Sequence, residues 1–202
     1  MLPAFSSAPY SLSLGEAEHM SVRNGILAIL TLGPAYGLQL HAELLLRAAH
    51  RASVNAGQIY ATLDRLGTQG RIERAGATDD GLPLYRLTLA GREEASAWLR
   101  ADAPIDLDWI EMLDRVLIAC SLETADAVSV VDAHLLEWST HAEPPMPDAP
   151  AGTYAARASA RLAEAAQDWL NDVRAAAASG TLRRPFSDER PRRGRRPAAT
   201  AG

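Results

Sequence analysis

Residues 55–70 carry the side chains of this sequence that are best suited to recognition chemistry. Within them, Ile59, Leu63 and Leu66 recur at helical spacing and form one apolar stripe. The opposite face is small or hydrogen-bonding and holds a single acid; it consists of Gly57, Gln58, Tyr60, Ala61, Asp64 and Arg65. Such a face can approach a polar surface closely and read it.

Each polar group at the start of this helix matches a group on a nucleic acid. The amide of Gln58 can pair bidentately with adenine N6 and N7 in the major groove, which discriminates by about 1–3 kcal/mol. The ring of Tyr60 can pack on the protein while its hydroxyl donates to a phosphate. Asn55 is a good N-cap and can present the helix N-terminus to a phosphate.

Two further residues of the helix are candidates for contact with the sugar–phosphate backbone, namely Thr62 and Arg65. For Arg65 an alternative is equally open, in which it pairs on the surface with Asp64 or Glu73. Both interpretations place the guanidinium outside the core.

The neighbouring elements indicate how this helix is held. Residues 33–37, with the sequence GPAYG, separate two apolar helical runs. Gly70 ends the helix predicted within residues 55–70. Residues 71–75 and 83–87 read as two short strands around a turn at Asp80-Gly81. Helix, turn, helix, helix, hairpin is the order of a winged helix-turn-helix DNA-binding domain. The predicted fold class is therefore mainly α with a small β-wing.

The same stretch resembles the PadR family of bacterial transcriptional repressors. The resemblance covers residues 21–100 closely and the helical remainder in pattern, and it is carried by Gly33-Pro34, Tyr36-Gly37, Gly57-Gln58-Ile59-Tyr60 and the segment YRLTLAGR at residues 85–92. It implies a homodimeric repressor of a palindromic operator in double-stranded DNA. It also implies release by a small aromatic or cationic effector that binds near the dimer interface.

The predicted wing departs from the family, whose members usually carry basic residues there. Asp79 and Asp80 stand at the wing tip and would repel phosphates. Either the wing makes few contacts with DNA, or Arg74 and Arg86 supply them from the strands.

The chain divides into four predicted regions. Residues 1–20 are a disordered arm or an extension ahead of a true start at Met20, and residues 21–103 form the winged helix. Residues 104–180 form a helical dimerisation domain with helices at 106–121, 124–141 and 153–178 and a proline-containing linker at 143–152. Residues 181–202 form a disordered Arg/Pro-rich tail.

The C-terminal helices are expected to bury their apolar stripes against a second subunit, with a monomeric bundle as the alternative. The last helix carries Tyr154, Ala158, Leu162, Ala165, Trp169 and Val173 at spacings close to a coiled-coil seam. The predicted dimerisation residues are Trp98, Trp109, Leu113, Val116, Leu117, Leu162 and Trp169. The residues that could border an effector are Trp98, Trp109 and Trp138.

Charge is distributed unevenly along the chain. Residues 21–100 carry nine Arg against seven acids, whereas residues 101–182 carry four Arg against fourteen acids. Residues 183–202 carry seven Arg against two acids. The acidic block is typical of a partner-facing or solvated helical domain. The basic tail either adds salt-sensitive affinity for phosphates or serves as a solubilising end.

Several classes of function are disfavoured by the sequence. Nucleotide-binding glycine motifs and hydrolase motifs are absent, the five histidines lack metal-ligand spacing, and the one cysteine, Cys120, lies in an apolar run typical of a core. No enzyme activity, metal or cofactor is therefore expected. The apolar runs are too short to span a bilayer and the N-terminal residues do not resemble a secretory signal, so we expect a cytoplasmic protein. A protein-interaction module built on a winged helix is the alternative function.

Overall fold

The computed structural model describes residues 14–102, 107–140 and 150–187. Within these ranges the fold is mainly helical with one two-stranded wing, as the sequence predicted. The helices and strands, in chain order, are α1 Leu14–Ile29, α2 Gly37–Arg47, α3 Ala56–Thr68, β1 Ile72–Ala77, β2 Pro83–Leu87, α4 Leu89–Trp98, α5 Trp109–Ser121, α6 Ala127–Thr140 and α7 Pro150–Ser179. Two 3₁₀ turns, Leu30–Leu32 and Ala49–Arg51, follow α1 and α2.

The core of the winged helix lies between α1, α2 and α3. Its fully buried side chains come from the apolar stripe of each helix and include Ile26, Leu40, Leu44, Ile59, Leu63 and Leu66. The antiparallel pair β1–β2 covers one side and continues into the loop before α2, since Ala35 and Tyr85 exchange backbone hydrogen bonds of 3.0 and 2.9 Å. Apolar packing on α1 and α2 thus holds the inner face of α3.

The junction between the wing and α4 depends on Thr88 and Gly91. The Thr88 hydroxyl accepts from the Gly91 N–H at 3.1 Å and donates to the carbonyl of Gly70 at 2.7 Å. A Cβ on Gly91 would lie 1.9 Å from the Arg71 carbonyl oxygen, so only glycine permits this approach of α4 to the start of β1. In the Thr-x-x-Gly pattern, Thr88 therefore caps α4 and Gly91 allows the close contact with β1.

The helical region is built on α5, α6 and α7. Asp108 caps α5 by accepting from the Glu111 N–H at 2.7 Å, and α5 packs closely on α1, where a Cβ on Gly25 would lie 2.9 Å from Ile118 Cδ1. Cys120 is buried, which raises the pKa of its thiol to about 11, in agreement with the predicted core role. The inner face of α7 carries Ala163, Ala166, Leu170, Val173 and Ala177, all buried.

The structure differs from the sequence-based expectation at two places. The first helix begins at Leu14, although we expected no helix before Met20. Residues 181–187, expected to begin a disordered tail, return to α2 and α5. Three predicted segments lie wholly or mostly outside the described residues. They are residues 1–13, most of the linker at 143–152, and residues 188–202 of the tail.

Candidate nucleic-acid interface

The N-terminus of α3 is closed by a reciprocal capping box. The side-chain oxygen of Asn55 accepts from the Gln58 N–H at 3.1 Å, and Gln58 Oε1 accepts from the Asn55 N–H at 2.8 Å. The cap role of Asn55 is confirmed, but the role of Gln58 in the cap was missed. The Asn-x-x-Gln spacing is the signal that could have revealed it, since it follows the capping-box pattern.

The outward face of α3 has the composition that the helical spacing indicated. All six residues expected there are exposed, namely Gly57, Gln58, Tyr60, Ala61, Asp64 and Arg65, whereas the apolar stripe is buried. Thr62 does not join them, because it is 4% exposed and its hydroxyl donates to the Gln58 carbonyl at 2.8 Å. The structure thus removes Thr62 from the surface on which we expected it to contact the DNA backbone.

Tyr60 links the outward face of α3 to the start of α2. It is 38% exposed, and its ring lies against Gly37 so closely that a Cβ there would be 2.5 Å from Tyr60 Cε1 and 3.0 Å from its hydroxyl oxygen. Gly37 is therefore required for clearance, since its own backbone conformation is ordinary helix. The ring packs against α2 and the residue remains partly exposed, as the sequence predicted.

The basic side chains on and beside α3 have mostly local partners. Arg65 Nε donates to the Ala61 carbonyl at 3.1 Å, and Glu73 pairs instead with Arg86 at 2.8 Å. Neither surface partner considered for Arg65 is the one observed. Arg74 is exposed, and within the described residues it makes no ion pair. Of the two strand arginines, only Arg74 thus has an uncompensated charge.

The wing tip is ordered by its own acidic residue. The Thr78 hydroxyl donates to Asp80 at 2.6 Å and accepts from the Leu82 N–H at 3.0 Å, while Gly81 takes a φ of 80°, which favours glycine. Asp79 is exposed beside this turn. The tip therefore presents negative charge to any phosphate that approaches it.

Four other arginines of the winged helix are paired with carboxylates of the same chain, and two of them, Arg47 and Arg51, are buried. Arg23 and Arg71 both bind the carboxylate of Glu94, the latter at 2.6 Å. Arg47 pairs with Glu43 at 2.9 Å, and Arg51 binds Asp114 of α5. The winged helix accordingly offers few free cations to DNA.

Asp114 lies at the centre of a buried polar cluster between the winged helix and α5. It accepts from Arg51 Nε at 2.9 Å and from the Ser21 hydroxyl, and His50 Nε2 lies 2.9 Å from it. Burial by itself raises the pKa of Asp114, but hydrogen bonds from His50, Arg51 and Ser21 outweigh this and hold the pKa below its ordinary value. The ionised carboxylate therefore joins α1, the second 3₁₀ turn and α5.

The tryptophans considered for effector binding have separate surroundings. Trp98 Nε1 donates to Glu111 of α5 at 2.8 Å, and the rings of Trp109 and Trp169 are 6.2 Å apart. Trp138 is buried.

A surface cavity of about 640 Å³ has no tryptophan among the described residues that line it. These residues are Thr31, Arg92, Ser96, Leu99, Arg100, Ala101, Asp102, Thr124, Ala125, Asp126 and Ser129.

The residues predicted for dimerisation also occupy different environments. Val116 is fully buried within the chain, so its side chain is not available to a second copy. Trp98, Trp109, Leu113, Leu117 and Trp169 are half-buried, and Leu162 is exposed. Over the described residues, no group of acidic, histidine or cysteine side chains has a metal-binding arrangement, and no helix is long and apolar enough to cross a membrane.

Comparison with known proteins gives one family and several similar solved structures. Residues 26–97 match the profile of the transcriptional regulator PadR-like family, which confirms the resemblance drawn from the motifs. Bacillus subtilis PadR in complex with operator DNA is 21% identical over 76% of this chain and 96% of its own, with a TM-score of 0.38. A protein of Streptococcus mutans UA159 is 18% identical over 76% of this chain and 98% of its own, with a TM-score of 0.35. No curated protein matches the chain significantly.

Proposed function

We propose, from the premise that residues 26–97 belong to the PadR-like family of transcriptional regulators, that this chain is a sequence-specific DNA-binding repressor. In this proposal α3 enters the major groove with its first turn against the bases, while α2 crosses the backbone. The observation that carries it is the outward face of α3, which combines Gln58 and Tyr60 with Gly57 and Ala61. The small residues let the helix approach the bases, and the polar groups can read them.

Gln58 can read a base without giving up its role in the cap. Its Oε1 has two lone pairs and uses one for the Asn55 N–H, so a second donor can bind there. Its Nε2 group has two N–H donors. An adenine that donates from N6 and accepts at N7 matches this amide, and the cap would hold the side chain in place before DNA arrives.

The proposal includes a homodimer formed through the C-terminal helices. It is supported by the exposed apolar side chains of α6 and α7, where Leu136 is 67%, Tyr154 70% and Leu162 42% exposed. Exposed leucine and tyrosine on neighbouring helices are typical of an interface. A twofold pair of recognition helices would meet a palindromic operator with half-sites about one DNA turn apart.

Release by a small aromatic or cationic effector completes the proposal. A molecule bound among the helices that hold Trp98, Trp109 and Trp138 would change the spacing of the two recognition helices. Tryptophan fluorescence titrated with phenolic and cationic compounds tests this step directly. A flat titration with compounds of both kinds would contradict it.

The test of base readout is selection of bound DNA from a random duplex pool, at two salt concentrations, with three proteins. Wild type is expected to give a palindromic consensus. Gln58→Ala should relax that consensus at matching positions of both half-sites, with a loss of about 1–3 kcal/mol of discrimination. Gln58→Glu is the matched control for stability, because its carboxylate still accepts in the cap but cannot donate to adenine N7.

The alternative function is a winged-helix module that binds another protein. It is favoured by one observation, the acidic wing tip with exposed Asp79, because negative charge there repels DNA. Selection that yields no consensus, together with loss of all binding at the higher salt, would favour this alternative. A consensus that persists at the higher salt would exclude it.

A further inference from the structure

A cavity of about 320 Å³ lies between the end of α2, the end of α5 and residues 181–187, which we call the C-terminal strap. The described residues that line it include three leucines and three arginines but no acid. These six are Leu46, Leu117, Leu182, Arg47, Arg183 and Arg184. Aliphatic walls beside positive charge suit a small molecule that has one apolar part and one anionic group.

The strap forms one wall of this cavity, and a buried ion pair holds it there. The side chains of Arg47 and Glu43 are 0% and 1% exposed. Arg47 Nη2 donates to the carbonyl of Arg184 at 3.0 Å, and the Ser187 N–H donates to Glu43 Oε1 at 2.6 Å. The Arg184 N–H donates in turn to the Ser121 carbonyl at 3.1 Å. The backbone of the strap is therefore fixed against both α2 and α5.

Two of the three arginines have a compensating partner within the chain. Arg47 pairs with Glu43 at 2.9 Å, and both oxygens of that carboxylate are engaged, one by Arg47 and the other by the Ser187 N–H. The side chain of Arg183 folds over Gly180, where a Cβ would lie 3.3 Å from Arg183 Cδ. Because Gly180 directly follows α7, the dipole of that helix favours a cation there.

Arg184 lacks a partner of either kind. Within the described residues its guanidinium makes no ion pair or hydrogen bond, and its Nε is buried without an acceptor. Its charge also acts on Arg47, whose pKa is lowered chiefly by burial and further by Arg184, against the opposing effect of Glu43. A desolvated donor of a charged group is costly when it has no acceptor, so an anion from solution would complete this arrangement.

We propose that this cavity binds a small organic carboxylate. The carboxylate accepts from the Arg184 guanidinium, whose planar fork of donors matches its two oxygens. The aliphatic part packs on Leu46, Leu117 and Leu182. Since Leu46 is 51% and Leu182 37% exposed, this contact removes apolar surface from water. The site goes beyond the proposed function and does not depend on DNA binding.

Titration of the full-length protein with sodium hexanoate, at constant ionic strength, tests the site. Isothermal titration calorimetry gives the affinity, and the rise of Tm with hexanoate concentration checks it independently. Hexanamide is the neutral isostere, and inorganic phosphate is an anion without an aliphatic part. Wild type is expected to bind hexanoate more tightly than either of these.

Three variants separate the contributions to binding. Arg184→Gln should bind hexanoate about tenfold or more weakly, because a hydrogen bond between two charged groups is lost. Arg92→Gln removes one exposed arginine at the cavity of about 640 Å³ and is the matched control, which should bind like wild type. Leu182→Asn should weaken the binding of hexanoate severalfold and leave that of phosphate unchanged. Urea unfolding verifies that each variant is folded.

Four results would overturn the proposal. One is equal affinity of wild type and folded Arg184→Gln for hexanoate. Two others need no variant, namely equal binding of hexanoate and hexanamide, and no binding of hexanoate by wild type at millimolar concentration. The fourth is phosphate bound as tightly as hexanoate with Leu182→Asn unaffected, which would replace the organic ligand by an inorganic anion.

Discussion

The outward face of α3 and the polar cluster around Asp114 differ in how their polar and charged groups are placed. On α3 the polar groups are exposed, and one of them, Gln58, has spare hydrogen-bonding capacity. Around Asp114 the charged pair Asp114 and Arg51 is buried, and the contacts of Asp114 join α1, the second 3₁₀ turn and α5. Most arginines of the winged helix therefore pair with acids of the same chain. The outward face of α3 is left nearly neutral.

The comparison also separates local from long-range causes. The face of α3 is set by helical periodicity and by a cap four residues long. The Asp114 cluster joins residues 63 and 93 positions apart, to Arg51 and to Ser21. A change on α3 should consequently alter recognition with little effect on folding, and a change in the cluster should do the reverse.

The largest expected effect is that of Asp114→Ala. Removing the carboxylate leaves Arg51 buried without its counter-ion, so the free energy of unfolding should fall by about 3–5 kcal/mol. Asp64→Ala on the exposed face of α3 is the matched control and should change it by about 0.5 kcal/mol or less. Urea unfolding monitored by circular dichroism measures both. Equal stability of the two variants would remove the distinction between the two regions.

An intermediate effect on stability is expected where α2 and α3 touch, at Gly37 and Tyr60. Gly37→Ala places a methyl group against the Tyr60 ring and should destabilise by about 1–3 kcal/mol. In Gly37→Ala/Tyr60→Ala the clash is gone, so the two changes should not be additive. A double-mutant cycle by urea unfolding gives the coupling energy. Additive effects would show that the ring does not constrain residue 37.

The smallest effect concerns two acids one turn apart on α5. The pKa of Asp114 is held low, so its stabilising contribution is present above its ordinary pKa and is lost as the pH falls below that value. The pKa of Glu111 is raised chiefly by burial, despite its hydrogen bond from Trp98. Its contribution is therefore present at low pH and is lost as the pH rises through the raised pKa.

Stability measured from pH 3 to pH 7 checks the two signs. The free energy of unfolding of Glu111→Gln should rise relative to that of wild type as the pH rises, because the amide still accepts from Trp98 and carries no charge to bury. The free energy of unfolding of Asp114→Asn should instead fall relative to that of wild type over the same pH range. Parallel pH profiles for both variants would contradict the assigned directions.

Sequence reasoning succeeded where the cause is local. The cap at Asn55, the exposed face of α3 and the paired strands all follow from spacing within a few residues. It failed for Thr62, because a hydroxyl can be satisfied by its own helix and buried as easily as exposed.

Long-range packing decided which face of α7 is buried and where residues 181–187 lie. Helix α7 has apolar residues on more than one face, and packing on α6 selects the alanine-rich one, leaving Tyr154 and Leu162 outward. The return of residues 181–187 depends on Glu43, which is 144 positions before Ser187. Composition alone marks that segment as polar, and periodicity cannot show which distant pair it completes.

The return of residues 181–187 also has a consequence for the order of events during synthesis. Arg47 donates to the carbonyls of Arg184 and Pro185, and Glu43 accepts from the Ser187 N–H. Glu43 and Arg47 leave the ribosome long before Ser187, and at about 5–20 residues per second the interval is roughly 7–30 s. Throughout that interval α2 lacks these hydrogen bonds, although the rest of the winged helix has already been translated.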